Sequence, residues 1–126
     1  MTASLLRTIC AIALMAAGVA SATPAPQAQR EIDWLIAGLG ASGCRFERNG
    51  SWYDAKKAQA HLQQKYDYLR KRGMADTAEL FIERAATESS MSGKPYHVQC
   101  AGRAVEPSAQ WFKRRLHTLR TSTIVH

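Results

Sequence analysis

The sequence predicts an α+β fold of about four helices packed on a small antiparallel sheet. That sheet comprises a hairpin over residues 44–53 and a strand over 96–100, tied by one disulfide. Three observations carry this reading. Apolar residues recur at helical spacing in separate runs along the chain. Asn49-Gly50 stands between two short arms, and this pair tolerates the positive φ angles of a hairpin turn. Two cysteines, Cys44 and Cys100, remain once the first 22 residues are set aside.

Residues 1–22 have the three parts of a secretory signal peptide: the cation Arg7, an apolar run over 9–19, and the small residues Ala20-Ser21-Ala22. Cleavage is expected after Ala22, with release into the periplasm. The apolar run is shorter than the roughly 20 residues that span a bilayer. No later stretch reaches that length, so the mature chain is expected to carry no transmembrane segment. In an oxidising compartment the two remaining cysteines most simply form one disulfide. It would close a loop of about 57 residues and contribute roughly 4 kcal/mol. There is no C-x-x-C and the four histidines are scattered, which argues against a zinc or redox pair. No metal or cofactor is expected. The chain of 126 residues has 17 Lys plus Arg against 10 Asp plus Glu. Only one of those cations leaves with the signal peptide. A chain this size buries one core, and a single basic, monomeric domain over 31–120 is expected.

The elements follow in order. Residues 23–30 are a Pro/Ala/Gln-rich segment without apolar period, expected to be a flexible leader. Ile32, Leu35, Ile36 and Leu39 form one helical stripe, with Gly40 placed as its C-cap. A two-residue loop at Asn49-Gly50 sets Arg48 opposite Ser51, Glu47 opposite Trp52 and Phe46 opposite Tyr53. Cys44 and Phe46 then share the core face. Asp54 is a suitable N-cap for a helix to residue 72 whose apolar side is Ala55, Ala58, Leu62, Tyr66 and Leu69. His61, Lys65 and Tyr68 mark its wetter flank, and Gly73 ends it. Asp76-Thr77-Ala78-Glu79 reads as a capping box for a third helix carrying Leu80, Phe81, Ile82, Ala85 and Ala86. Tyr96, Val98 and Cys100 alternate as one face of a strand. Residues 102–106 read as a linker. Pro107-Ser108 opens a last helix, with Trp111, Phe112, Leu116 and Leu119 inward and Lys113, Arg114, Arg115 and Arg120 largely outward. The tail over 121–126 is expected to fray.

Several of these segments together resemble a known family. They are Ser42-Gly43-Cys44-x-Phe46-x-Arg48-Asn49-Gly50-x-Trp52-Tyr53, then Ala60-His61-Leu62-x-x-Lys65-Tyr66, then Ser89-Ser90-x-Ser92-Gly93-Lys94-Pro95-Tyr96. This set is similar to the YfeK-like family of small proteobacterial proteins. The resemblance runs from about residue 31 to 120 and implies a single periplasmic domain with this cysteine pair. It carries over no catalytic or ligand residues.

Two surfaces stand out as candidates for binding. The first is the serine-rich loop over 88–96, where Ser89, Ser90, Ser92, Gly93, Lys94 and Tyr96 offer hydroxyls, a flexible backbone and one cation. The second is Arg45, Arg48 and Trp52, with Tyr53, His61 and Lys65, where cations interleave with aromatics in a way that suits anionic glycans. Against these stands the plainer reading that the serines only close turns and the aromatics cover the core. Catalytic motifs are missing: there is no Gly-x-Ser-x-Gly, H-E-x-x-H, Ser-x-x-Lys or phosphate-binding loop. The sequence therefore points to a non-enzymatic binding protein of the cell envelope. Its partner would be another envelope protein or an anionic cell-wall component, not nucleic acid. The alternative is a small envelope hydrolase using His61 or His97 as base.

Overall fold

The computed structural model describes residues 25–124, so the signal peptide expected over 1–22 and the cleavage expected after Ala22 lie outside the described residues. The first helix, α1, spans Pro26–Ala41. It begins inside the segment expected to be a leader. Pro26 suits a first helical turn, where its missing N–H is not needed. Ala28 adds a turn to the buried stripe of Ile32, Leu35, Ile36 and Leu39. Gly40 is not the cap. It is buried within the helix, where a Cβ would overlap the Gln59 carboxamide. The left-handed residue that follows is Gly43, at φ 68°.

The sheet has four antiparallel strands in the order β2-β1-β3-β4: β1 Arg45–Arg48, β2 Ser51–Tyr53, β3 His97–Gln99 and β4 Glu106–Pro107. The hairpin register is the expected one, pairing Arg48 with Ser51, Glu47 with Trp52 and Phe46 with Tyr53. Asn49 and Gly50 both take positive φ, 51° and 83°. β1 also pairs with β3, Arg45 opposite Gln99 and Glu47 opposite His97. The Cys44–Cys100 disulfide lies one residue beyond that ladder, with the two Cα atoms 4.2 Å apart. β4 falls at the end of the stretch expected to be a linker. Pro107 can sit there because β4 is an edge strand, where a missing donor is tolerated. Ser108 N–H donates to the Tyr96 carbonyl, 2.9 Å, where Pro107 could not donate.

Helix α2, Ala55–Arg70, buries the five residues its stripe predicts, and the Asp54 carboxylate accepts from Lys57 N–H at 2.8 Å. Helix α3 is one turn, Ala78–Phe81, and its cap is Thr77, which accepts from Leu80 N–H, rather than Asp76. It widens into a π turn, Ile82–Ala86, that the sequence does not announce. There Thr87 Oγ1 donates to the Ile82 carbonyl at 2.7 Å, five residues back. Phe81, Ile82, Ala85 and Ala86 are all buried.

Helix α4, Ser108–Ile124, carries Trp111, Phe112 and Leu116 into the core and covers residues 121–124 of the tail expected to fray, the remainder lying outside the described residues. Three of its cations are not simply solvated. Arg115 lies between the Trp34 and Trp111 rings, 4.4 and 5.4 Å from their centres. Arg114 grips Glu106 through two nitrogens, and Arg120 bridges Glu31 and Glu79. The helices cover one face of the sheet, where Phe46, Tyr96 and Val98 join the core. No helix among the described residues is long and apolar enough to cross a membrane.

Because the bond joins strands far apart in sequence, reducing the mature protein should lower its melting temperature by roughly 15 °C, from a loss on the order of 4 kcal/mol. Calorimetry with and without reductant checks this, and an unchanged transition would show that the bond contributes no stability.

Candidate functional site

Alternation along β1 decides what its cations can reach. Phe46 points to the helices, and Arg48, two residues on, shares that side. Arg45 and Glu47 take the opposite side with Trp52 and His97. The candidate surface that combined Arg45, Arg48 and Trp52 is thus split between two faces. On the outer face Arg45 lies 5.7 Å from the Trp52 ring centre. On the same face Glu47 accepts from Gly50 N–H at 2.9 Å and stands 2.7 Å from His97 Nδ1. Burial raises the Glu47 pKa, but the bonds from His97 and Gly50 outweigh it and hold the carboxyl below its usual value.

On the inner side, Arg48 reaches the flank of α2. Its Nη1 is 2.9 Å from His61 Nδ1. The other ring nitrogen, Nε2, is 3.2 Å from the Tyr96 hydroxyl. Lys65, one helical turn beyond His61, donates to the same hydroxyl at 3.2 Å and to the Glu88 carbonyl at 3.1 Å. The same Arg48 nitrogen lies 3.3 Å from Nε2, and since a guanidinium only donates, the imidazole accepts from it through one of its ring nitrogens. Burial, then the charges of Arg48 and Lys65, depress the His61 pKa to about 4. Burial and Arg48 likewise pull Lys65 down to about 8, partly offset by Glu88. Burial pushes the Tyr96 phenol up.

Two hollows open on either side of His61. One, of about 440 Å³, is lined by Phe46, Arg48, Tyr53, Lys57, His61 and Gln64, with Ala58 and Ala60. The other, of about 470 Å³, is lined by His61, Gln64, Lys65, Tyr68, Arg84 and Ser90, with Leu69. Neither lining contains a carboxylate. Lys57, Gln64 and Arg84 are the site residues that the sequence reading passed over. Two of them were within reach, since Lys57, His61, Gln64, Lys65 and Tyr68 follow one another at helical spacing beside the apolar stripe.

The serine loop is mostly committed to its own geometry. Ser89 is buried, and its hydroxyl oxygen accepts from Met91 N–H, Ser92 N–H and the Asn49 carboxamide, each at 3.3 Å. Ser92 donates to Asn49 Oδ1 at 2.5 Å and accepts from Lys94 N–H. Gly93, at φ 72°, closes the turn by donating to the Ser89 carbonyl. The loop is thereby pinned to the hairpin turn. Ser90, Met91 and Lys94 are left exposed, and only Ser90 lines a hollow. No serine or carboxylate is bonded to His61 among the described residues, and no cluster of three or more metal-ligating side chains forms among them.

A family model described as "Family of unknown function (DUF5329)" matches residues 26–120. The uncharacterized protein YfeK of Salmonella typhimurium is 45% identical over 51 residues, which are 40% of this chain and 41% of that protein. The match therefore spans about two-fifths of each. It bears out the resemblance read from the cysteine, tryptophan and serine motifs. No solved structure matches.

The depressed His61 pKa has a signed consequence. Between pH 6.5 and about 4 the unfolded chain binds a proton that the folded chain refuses, so this residue lowers stability as pH falls through that window. Replacing His61 with Gln should flatten the melting temperature against pH between those limits. A profile as steep as that of the native protein would show that His61 is not the titrating group.

Proposed function

The chain belongs to the DUF5329 family of unknown function, and from the geometry of its own groove we propose that it is a non-enzymatic binding protein of the periplasm. It holds an anionic component of the cell envelope along the flank of α2, with Arg48 and Lys65 as the charged contacts and Ser90 as the contribution of the serine loop.

One observation carries this reading. Arg48 and Lys65 are drawn together around His61 and Tyr96, and among the described residues neither has a carboxylate in an ion pair, the Glu88 charge offsetting Lys65 only in part. Among the described residues Arg70, Arg114 and Arg120 do have carboxylate partners, Asp67, Glu106 and the pair Glu31 and Glu79, whereas Arg48 and Lys65 are half-buried beside each other without one. Half-buried like charges oppose folding unless a counter-charge compensates them. A bound anion is the compensation that this cluster lacks. The Cys44–Cys100 bond supports export, because such bonds persist in oxidising compartments.

The hydrolase alternative gains no comparable support. Burial, and then the neighbouring cations Arg48 and Lys65, make His61 a weak base, and no nucleophile is bonded to it among the described residues. His97 has its carboxylate partner, Glu47, but lies on the open face of the sheet, outside both hollows.

Titration calorimetry at low salt, with acidic and neutral envelope glycan fragments, tests the proposal. Acidic fragments should bind, and Arg48→Gln or Lys65→Gln should each weaken them about tenfold, the scale of a lost charged hydrogen bond. Affinity should also decline as pH rises through about 8, where Lys65 loses its charge. Equal binding of neutral fragments, or no response to either substitution, would refute it.

A further inference from the structure

The two hollows adjoin one another along α2 and together form a trough-like surface. They share His61 and Gln64, and their α2 residues run from Lys57 to Tyr68 along one flank of the helix. At about 1.5 Å per residue that stretch is about 16 Å long. Each hollow has its own pair of cations, Arg48 with Lys57 on one side of His61 and Lys65 with Arg84 on the other. A single phosphate or sugar acid would engage one end and leave the other unanswered. The spacing of the charges thus asks for a chain bearing more than one negative group.

The walls narrow the chemistry further. Two tyrosine rings that border the trough are already covered by guanidinium groups, Tyr53 by Arg48 at 5.4 Å and Tyr68 by Arg72 at 3.6 Å. They are poor platforms for stacked bases, on which single-stranded nucleic acid binding depends. Along the floor and rim stand the Gln64 carboxamide and the Ser90 hydroxyl, groups that hydrogen-bond to hydroxyl-rich ligands. We propose that the trough on α2 binds a linear acidic oligosaccharide, with one acidic sugar in each hollow and His61 marking the boundary between them. This rests on the anion-binding reading above.

The test is calorimetric titration of the mature chain at low ionic strength with galacturonate as monomer, dimer and tetramer. Maltotetraose serves as the neutral control. A glutamate oligopeptide and oligo-dT represent other polyanions. The tetramer should bind at least about tenfold tighter than the monomer, since the second hollow is engaged without a second loss of translational freedom. Lys57→Gln in one hollow and Arg84→Gln in the other should each weaken the tetramer about threefold, while Lys113→Gln on α4 leaves it unchanged. Equal affinity for monomer and tetramer would overturn the two-hollow inference and leave a single anion site standing. Tighter binding of the peptide or of oligo-dT would overturn the carbohydrate assignment. Failure of every anion to bind would remove the underlying reading as well.

Discussion

The pairing of β1 with β3 is held at one end by the Cys44–Cys100 bond, and the groove at the other end inherits that register. Continuing the ladder from Glu47–His97 by one residue brings Arg48 level with Tyr96. Both residues fall on the helix side of the sheet, so a guanidinium and a phenol meet over the flank of α2, where His61 and Lys65 wait one turn apart. A slip of a single residue would send Arg48 to the outer face and Phe46 with it. The covalent tie that stabilises the fold and the geometry that assembles the groove are therefore one constraint.

The groove also differs from the surroundings of α4. Around α4, every strong cation that approaches the core is matched, by carboxylates at Arg114 and Arg120 or by two indole faces at Arg115. Around His61 the protein gathers charges of one sign beside an imidazole, two tyrosine rings and a backbone carbonyl, with the Glu88 charge offsetting Lys65 in part. Local arrangements that work against stability are where function tends to be found. Their presence beside open hollows, and not in the interior, gives that general expectation a specific place.

Much of the scaffold could be read from local signals. Asn49-Gly50 and its flanking residues specified the hairpin register, because two-residue loops leave no freedom in pairing. The stripe of α2 specified which of its residues are buried, since helical spacing and the Asp54 cap agree. What escaped depended on distant partners. Pro26–Arg30 lacks a strong apolar period, and it is helical because Ala28 packs and Glu31 meets Arg120 from the other end of the chain. Arg115 read as a surface cation, since nothing local showed two tryptophans closing on it. β4 was hidden because a proline-bearing dipeptide has no signature apart from the strand it joins. The division of Arg45 from Arg48, by contrast, was legible. Their odd separation in a strand already placed them on opposite faces, and grouping them by charge alone obscured it.

The π turn at Ile82–Ala86 gives the groove an unusual dependence on chain length. It accommodates one residue more than an α-helical path would need, and it delivers Glu88 to Lys65 and Thr87 to the backbone of Tyr96. Losing one residue there would restore regular helix and rotate everything downstream by about 100° about the helix axis. Such a deletion would leave the hairpin itself untouched, yet it would carry the rim of the second hollow away from α2 and pull on β3 and Cys100, which follow it in the chain. In evolutionary terms, the length of this turn is tied both to the core, through Ile82, Ala85 and Ala86, and to the groove, so a single-codon insertion or deletion there would be felt by the two together.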